Sequence, residues 1–131
     1  MKLLLDTHLL LCAAAQPTCL PRGIRDLLDA PENELLFSVA SLWEIVIKQG
    51  LRRKDFRVNA HLLRRGLLDN GYTELSINSR HILAVAYLPP LHKNPFDRIL
   101  VAQATVEGIM LLTADALVAQ YPGSIRKIKT R

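Results

Sequence analysis

The 131-residue chain has little with which to staple itself together. Its two cysteines, Cys12 and Cys19, fit neither a CxxC redox pair nor a thiolate metal site. They read as reduced thiols of a cytoplasmic protein, with Cys12 packed in an apolar helix. Aromatic residues make up only 5% of the chain, so Leu, Ile, Val and Ala must build the core. No apolar run approaches the roughly 18 residues of a membrane span. MKLLLDTHLLLCAAA looks superficially like a secretory signal, but Asp6 and His8 interrupt its apolar stretch. Repeats, low-complexity tracts and linkers are also missing, which leaves a single domain over residues 1–131. A chain of this length buries roughly two-thirds of its unfolded surface, enough to fold without a disulfide or metal staple.

Basic residues are what the chain has in excess, 17 Lys and Arg against 12 Asp and Glu, for a formal charge of +5. Seven of them cluster between Lys48 and Arg65, namely Lys48, Arg52, Arg53, Lys54, Arg57, Arg64 and Arg65. Four more close the chain in RKIKTR. Clustering of this kind suits a phosphate backbone as well as it suits a solvated face.

Short apolar runs alternate with helical stretches along the chain. KLLLD (2–6), LLFS (35–38), TELSI (73–77) and IMLLT (109–113) read as strands, with IRKIK (125–129) as a fifth, edge strand. Between them lie helical stretches over 7–15, 22–30, 39–50, 59–71, 79–88, 95–108 and 114–121. Gly50 and Gly108 are stop signals, and Pro95 stands near a helix start. The alternation predicts an α/β three-layer sandwich, its mostly parallel sheet of four to five strands flanked by helices. In such sheets ligands bind beyond the carboxyl ends of the strands.

Four carboxylates fall at those junctions: Asp6 after the first strand, Glu44 after the second, Asp97 at a helix start and Asp115 after the fourth strand. Taken singly, three of them have an ordinary structural explanation. Ser41 to Glu44 has capping-box spacing. Asn94-Pro95-Phe96-Asp97 offers a cap and an acid at the positive end of the helix dipole, and Thr113-Ala114-Asp115 does likewise. Asp6 is harder to explain, since a carboxylate ending a buried strand is costly unless it pairs, with Arg98 for example, or holds a cation. Taken together the four acids are more specific. Two unit charges about 5 Å apart repel by roughly 3 kcal/mol at an effective dielectric of about 20, so a cluster requires protons, Arg or Lys partners, or a divalent metal. Oxygen-only ligands suit Mg²⁺ or Mn²⁺ rather than zinc. Hard cations held by carboxylates in a basic protein are the apparatus of phosphodiester hydrolysis.

LLLDTHLLL, SVASLWEIVIK, HKNPFDRILVAQA and LLTAD, in that order, resemble the PIN-domain ribonucleases, and among them the VapC-type toxins of bacterial toxin–antitoxin pairs. The resemblance spans nearly the whole chain and implies a PIN-like sandwich. The family's acidic metal positions fall on Asp6, Glu44, Asp97 and Asp115, and its supporting polar positions on Thr7, Ser41, Thr113 and Arg98. The resemblance implies a cytoplasmic, Mg²⁺-dependent endoribonuclease, with Mn²⁺ as an alternative cation, that leaves a 5′-phosphate and a 3′-hydroxyl. It also implies a homodimer, held inactive in a larger hetero-oligomer by a VapB-type antitoxin. The basic cluster, with Arg98 nearer the metal, would hold the RNA backbone. Two positions depart from the pattern: Asn94 stands where close relatives often carry Asp, and Cys12 where they often carry Trp.

A second reading keeps the basic cluster without the reaction, as a PIN-like nucleic-acid-binding module. A third, an aspartyl phosphatase using Asp6, wants a second Asp two residues on, where this chain has His8. His8, one turn from Asp6, is placed to line the cleft, but a packed or surface imidazole is the commoner reading of such a residue. His61, His81 and His92 are assigned no catalysis, and Trp43 reads as core or as an anchor for a partner.

Overall fold

The computed structural model describes residues 1–15, 17–51 and 58–130. In chain order its elements are β1 (Lys2–Leu5), α1 (Thr7–Ala15), a 3₁₀ turn (Pro17–Cys19), α2 (Arg22–Asp29), β2 (Glu34–Ser38), α3 (Val39–Gly50) and α4 (Ala60–Asp69). They continue with β3 (Thr73–Leu75), α5 (Ser79–Val85), α6 (Pro95–Glu107), β4 (Met110–Thr113), a second 3₁₀ turn (Val118–Gln120) and β5 (Ile125–Lys127). The strands form one sheet in the order β3-β2-β1-β4-β5, every neighbouring pair parallel. This is the α/β sandwich expected from the alternation, with the fifth strand at an edge as expected.

The central strand shows why an unbroken run of leucines can be a strand. Leu3, Leu4 and Leu5 are all 0% exposed, because a parallel sheet is covered on both faces. Successive side chains point to opposite faces. Leu3 and Leu5 therefore join the layer of Leu9 and Leu10 from α1, Ile24 from α2, and Leu63 and Leu67 from α4. Leu4 joins the other layer, with Leu36, Leu111 and the α6 residues Leu100, Val101 and Ala104. At roughly 1.5–3 kcal/mol for each fully buried leucine, these two cores supply the main driving force for folding.

Several boundaries differ from the sequence expectation for local reasons. The α5 helix ends at Val85, and the amides of Ala86, Tyr87 and Leu88 each reach back only three residues. Tightening of this kind precedes Pro89 and Pro90, since the residue before a proline is barred from helical geometry. The helix expected over 114–121 shrinks to its 3₁₀ turn, where the Asp115 carboxylate takes up the amides of Leu117 and Val118. Gly50 is the last residue of α3 rather than a left-handed cap, whereas Gly108 closes α6 at φ +67°, a conformation only glycine adopts freely. The two cysteines, read from the sequence as reduced thiols, prove to be neighbours: the 3₁₀ turn folds Cys19 back onto α1 against Cys12, with Cα atoms 5.7 Å apart. Among the described residues no helix is long and apolar enough to cross a membrane.

Candidate metal centre

The sheet register brings Asp6 and Thr113 together. Leu5 pairs with Leu112, so the next residue of each strand emerges at the same carboxyl end. The Thr113 hydroxyl donates to Asp6 Oδ2 at 2.7 Å and the Ala114 amide donates to the same oxygen at 2.9 Å. Asp6 Oδ1 accepts from the Leu9 amide at 2.8 Å, so Asp6 rather than Thr7 caps α1. Asp6 is 4% exposed. Burial holds its carboxyl above the usual range even though these hydrogen bonds pull the other way.

Glu44 comes from α3, which spans Val39–Gly50 as read from the sequence, so Ser41 lies inside the helix rather than capping it. The cap is Ser38, whose hydroxyl accepts from the Ala40 amide at 3.0 Å and donates to Gln103 Oε1 at 2.6 Å. Ser41 is instead a fully buried helical residue that accepts from the Thr7 hydroxyl at 2.9 Å, clasping α1 to α3 beneath the site. Glu44 Oε2 pairs with Lys48 Nζ at 3.0 Å one turn on. Among the described residues its other oxygen, Oε1, is buried without a hydrogen-bond partner. An orphaned carboxylate oxygen of this kind costs free energy unless something positive meets it.

Asp97 sits in the first turn of α6, where the Asn94 side chain accepts from the amides of Phe96 at 2.9 Å and Asp97 at 3.4 Å. The cap read from sequence is therefore present. Burial and then the nearby Glu44 charge push the Asp97 carboxyl up to about 6, with Asp6 and Asp115 adding to the effect and His92 opposing it. Asp115 spends Oδ1 on the amides of Leu117 at 2.7 Å and Val118 at 3.1 Å. Partial burial raises its carboxyl, but those amides and His92 outweigh the burial and leave it below the usual range.

All four acids line one cleft of about 380 Å³, together with Thr7, His8, Leu11, Lys48, Asn94, Ala114 and Thr130. Of the basic cluster, Lys48 reaches this cleft. Arg64 pairs with Glu74 at 2.7 Å on the outer face of α4, and Arg65 is exposed on the same helix. Arg52, Arg53, Lys54 and Arg57 lie outside the described residues. Arg98 does not approach the acids, nor does it pair with Asp6. Its guanidinium donates to the Pro89 carbonyl at 3.1 Å, the Tyr121 hydroxyl at 3.1 Å and the Val85 carbonyl at 3.3 Å, strapping the α5–α6 connection. Its support of the site is therefore indirect.

Two histidines that the sequence reading gave no catalytic role line or touch the cluster. His8 lines the cleft, with Nε2 3.4 Å from the Thr130 hydroxyl. His92 Nε2 lies 3.1 Å from Asp97 Oδ2 and 3.2 Å from Asp115 Oδ2. The one available signal for His92 was its place two residues before the capping Asn94. His81 is buried and completes a capping box with Asn78, while Trp43 is 59% exposed and packs edge-on against Phe96 at 5.2 Å.

Carboxylates converging on an orphaned oxygen, with one acid readily protonated, form a donor set that fits a hard divalent cation. Fold and cleft together define a parallel α/β protein with an acidic site at the carboxyl end of its sheet. The chain belongs to the PIN domain family, whose profile matches residues 3–123. No curated protein matches it. Among solved structures it is similar to VapBC2 from Rickettsia felis bound to a DNA fragment from their promoter, with a TM-score of 0.72, 15% identity, and 97% of this chain and 98% of that one covered. VapBC-1 from nontypeable Haemophilus influenzae follows at TM-score 0.63 and 15% identity, covering 97% of this chain and 98% of that chain. A domain of a functionally unknown protein from Methanocaldococcus jannaschii aligns at TM-score 0.63 and 12% identity, over 99% and 92% of the two chains.

Proposed function

We propose that the protein is an endoribonuclease toxin of the VapC type that uses Mg²⁺, or Mn²⁺ in its place, to hydrolyse RNA phosphodiester bonds. The observation that carries the reading is the convergence of Asp6, Glu44, Asp97 and Asp115 in one cleft, with Glu44 Oε1 buried and unpartnered among the described residues. Asp6, Glu44 and Asp97 would hold the cation, and Asp115 would complete the set through Oδ2, the oxygen that the Leu117 and Val118 amides leave available. When bound, the cation supplies Lewis-acid activation of water and of the scissile phosphate. The chain's own residues do the rest. Thr113, Ala114 and Leu9 fix the Asp6 carboxylate, Ser41 and Thr7 brace α3 against α1, and Lys48 offers a positive charge at the cleft for a phosphate oxygen.

An antitoxin of the VapB type is the proposed regulatory partner. A larger groove of about 690 Å³ between α1, α2 and α4, lined by Leu20, Leu62, Leu63 and Tyr72 among others, offers an apolar seat for such a chain and contains none of the four acids. The exposed α3 residues Trp43, Val46 and Ile47 provide an apolar face for the homodimer.

The test is cleavage of end-labelled RNA by the purified chain. Cutting with Mg²⁺ or Mn²⁺, stopped by EDTA and leaving 5′-phosphate ends, is the expected result. RNA that is bound but left intact with either metal would establish the non-catalytic binding module instead. A pH dependence follows from Asp97. Below about 6 a proton occupies its carboxyl and competes with the cation, so apparent metal affinity rises with pH through that value and levels off above it. Isothermal titration from pH 5 to 8 should show a loss of roughly tenfold per unit on the acid side. A flat profile would exclude Asp97 from the ligand set.

A further inference from the structure

His92, Asp97 and Asp115 place three ligand-capable atoms within 4.8 Å of one another, which looks like a mixed nitrogen–oxygen metal site. The hydrogen bonding of the ring argues otherwise. His92 Nδ1 accepts from the Asn94 amide at 3.2 Å. A ring nitrogen that accepts carries no proton, so the proton of the neutral imidazole sits on Nε2. Were Nε2 to coordinate a metal, its proton would have to move to Nδ1, where it would face the Asn94 N–H donor to donor.

We propose that His92 is a positioning residue whose Nε2–H donates to Asp115 Oδ2 beside Asp97, holding both carboxylates toward the cation without ligating it. This rests on the metal-site reading given above. Asp115 needs such a partner: Oδ1 is committed to the Leu117 and Val118 amides, and its side chain is 39% exposed. Among the described residues, the hydrogen bond recorded for Oδ2 is the one from His92, at 3.2 Å. The imidazole is well anchored for the task. The His92 backbone amide donates to the Tyr121 hydroxyl at 3.0 Å, Tyr121 is 3% exposed, and Arg98 donates to the same hydroxyl at 3.1 Å. Asn94, which fixes Nδ1, is also the residue that caps the helix carrying Asp97. Metal sites commonly use a histidine ligand oriented by an outer carboxylate, and here the two roles are exchanged.

The test needs two readouts. Nitrogen-15 spectra of histidine-labelled metal-free protein, at neutral to mildly alkaline pH, should show His92 protonated on Nε2 alone, and unchanged in tautomer when Mg²⁺ is added. Calorimetric Mg²⁺ titration should show His92→Ala weakened by about tenfold or more, within the range outer partners command. His92→Gln should recover most of that loss, since its amide nitrogen donates from the same place but is a poor metal ligand. Thermal unfolding of both variants separates lost affinity from lost fold. An Nδ1-protonated or doubly protonated ring, an Nε2 proton lost on adding metal, a Gln variant as weak as Ala, or an Ala variant with unchanged affinity would each overturn the proposal. Wild-type protein that binds no Mg²⁺ at millimolar concentration fails differently: it removes the metal-site reading, and this proposal with it, whatever the tautomer.

Discussion

Asp6→Asn is expected to lower RNA cleavage by at least about 100-fold in a protein that remains folded. The activity loss follows from charge. A unit charge 4 Å from another is worth roughly 4 kcal/mol at an effective dielectric of about 20, and the attraction is larger toward a divalent ion. Each 1.36 kcal/mol of transition-state stabilisation is about tenfold in rate, so about two-thirds of that interaction accounts for a 100-fold drop. The fold survives because two effects oppose one another. The asparagine carbonyl can still accept from Thr113 and Ala114, while its amide nitrogen faces the Leu9 N–H and forfeits a cap of about 1 kcal/mol. In return the variant no longer holds a buried carboxylate whose ionisation is disfavoured. Gel-based cleavage assays read the first effect and thermal unfolding the second. Undiminished cleavage would remove Asp6 from the site.

Asp97→Asn should separate stability from function more sharply, because the two move in opposite directions. The Asp97 carboxyl is raised from 3.8 to about 6, so the metal-free folded state favours its neutral form. The sign follows directly. That preference stabilises the fold fully below pH 3.8 and is lost as pH rises through about 6, leaving a repelled charge beside Glu44 at neutral pH. An uncharged amide escapes this repulsion. After allowance for residual solvent at the site, metal-free Asp97→Asn should gain about 1–2 kcal/mol at pH 7.5 and nothing near pH 3.5. The same substitution should abolish the thermal stabilisation that Mg²⁺ or Mn²⁺ gives the wild type, and cleavage with it. Unfolding curves at two pH values, with and without metal, show all of these effects. A variant destabilised at pH 7.5 would mean that Asp97 serves the helix start more than the cluster.

The sheet was legible because a parallel strand covered on both faces leaves an unbroken apolar run, as in Leu3–Leu5 and Leu111–Leu112. The cap at Asn94 was equally plain, since its side chain bonds amides only two and three residues away, whereas Asn59, read as part of its helix, is the cap of α4. Features that depend on distant residues were not. Ser38 and Ser41 both stand at the start of the same apolar helix, and it is the end of β2 that selects Ser38 as the cap. Arg98 follows the third acid directly, yet its acceptors lie on Val85, Pro89 and Tyr121, so no local pattern reveals that it faces away from the cleft. His92 looked like a loop residue because its anchor, Tyr121, is 29 positions further on. Cys12 and Cys19 meet only because a 3₁₀ turn reverses the chain between them, a geometry their spacing does not encode.

The four acids line one cleft because Asp6, Glu44 and Asp115 follow β1, β2 and β4, and Asp97 lies in the first turn of α6. Whether they act as one metal centre is most directly tested by calorimetric titration of Mn²⁺ into metal-free protein at pH 7.5, with Asp6→Asn alongside. Saturable binding to the wild type, lost or greatly weakened in the variant, is the expected result. No saturable heat at millimolar Mn²⁺, or equal binding by the folded variant, would contradict a shared carboxylate site.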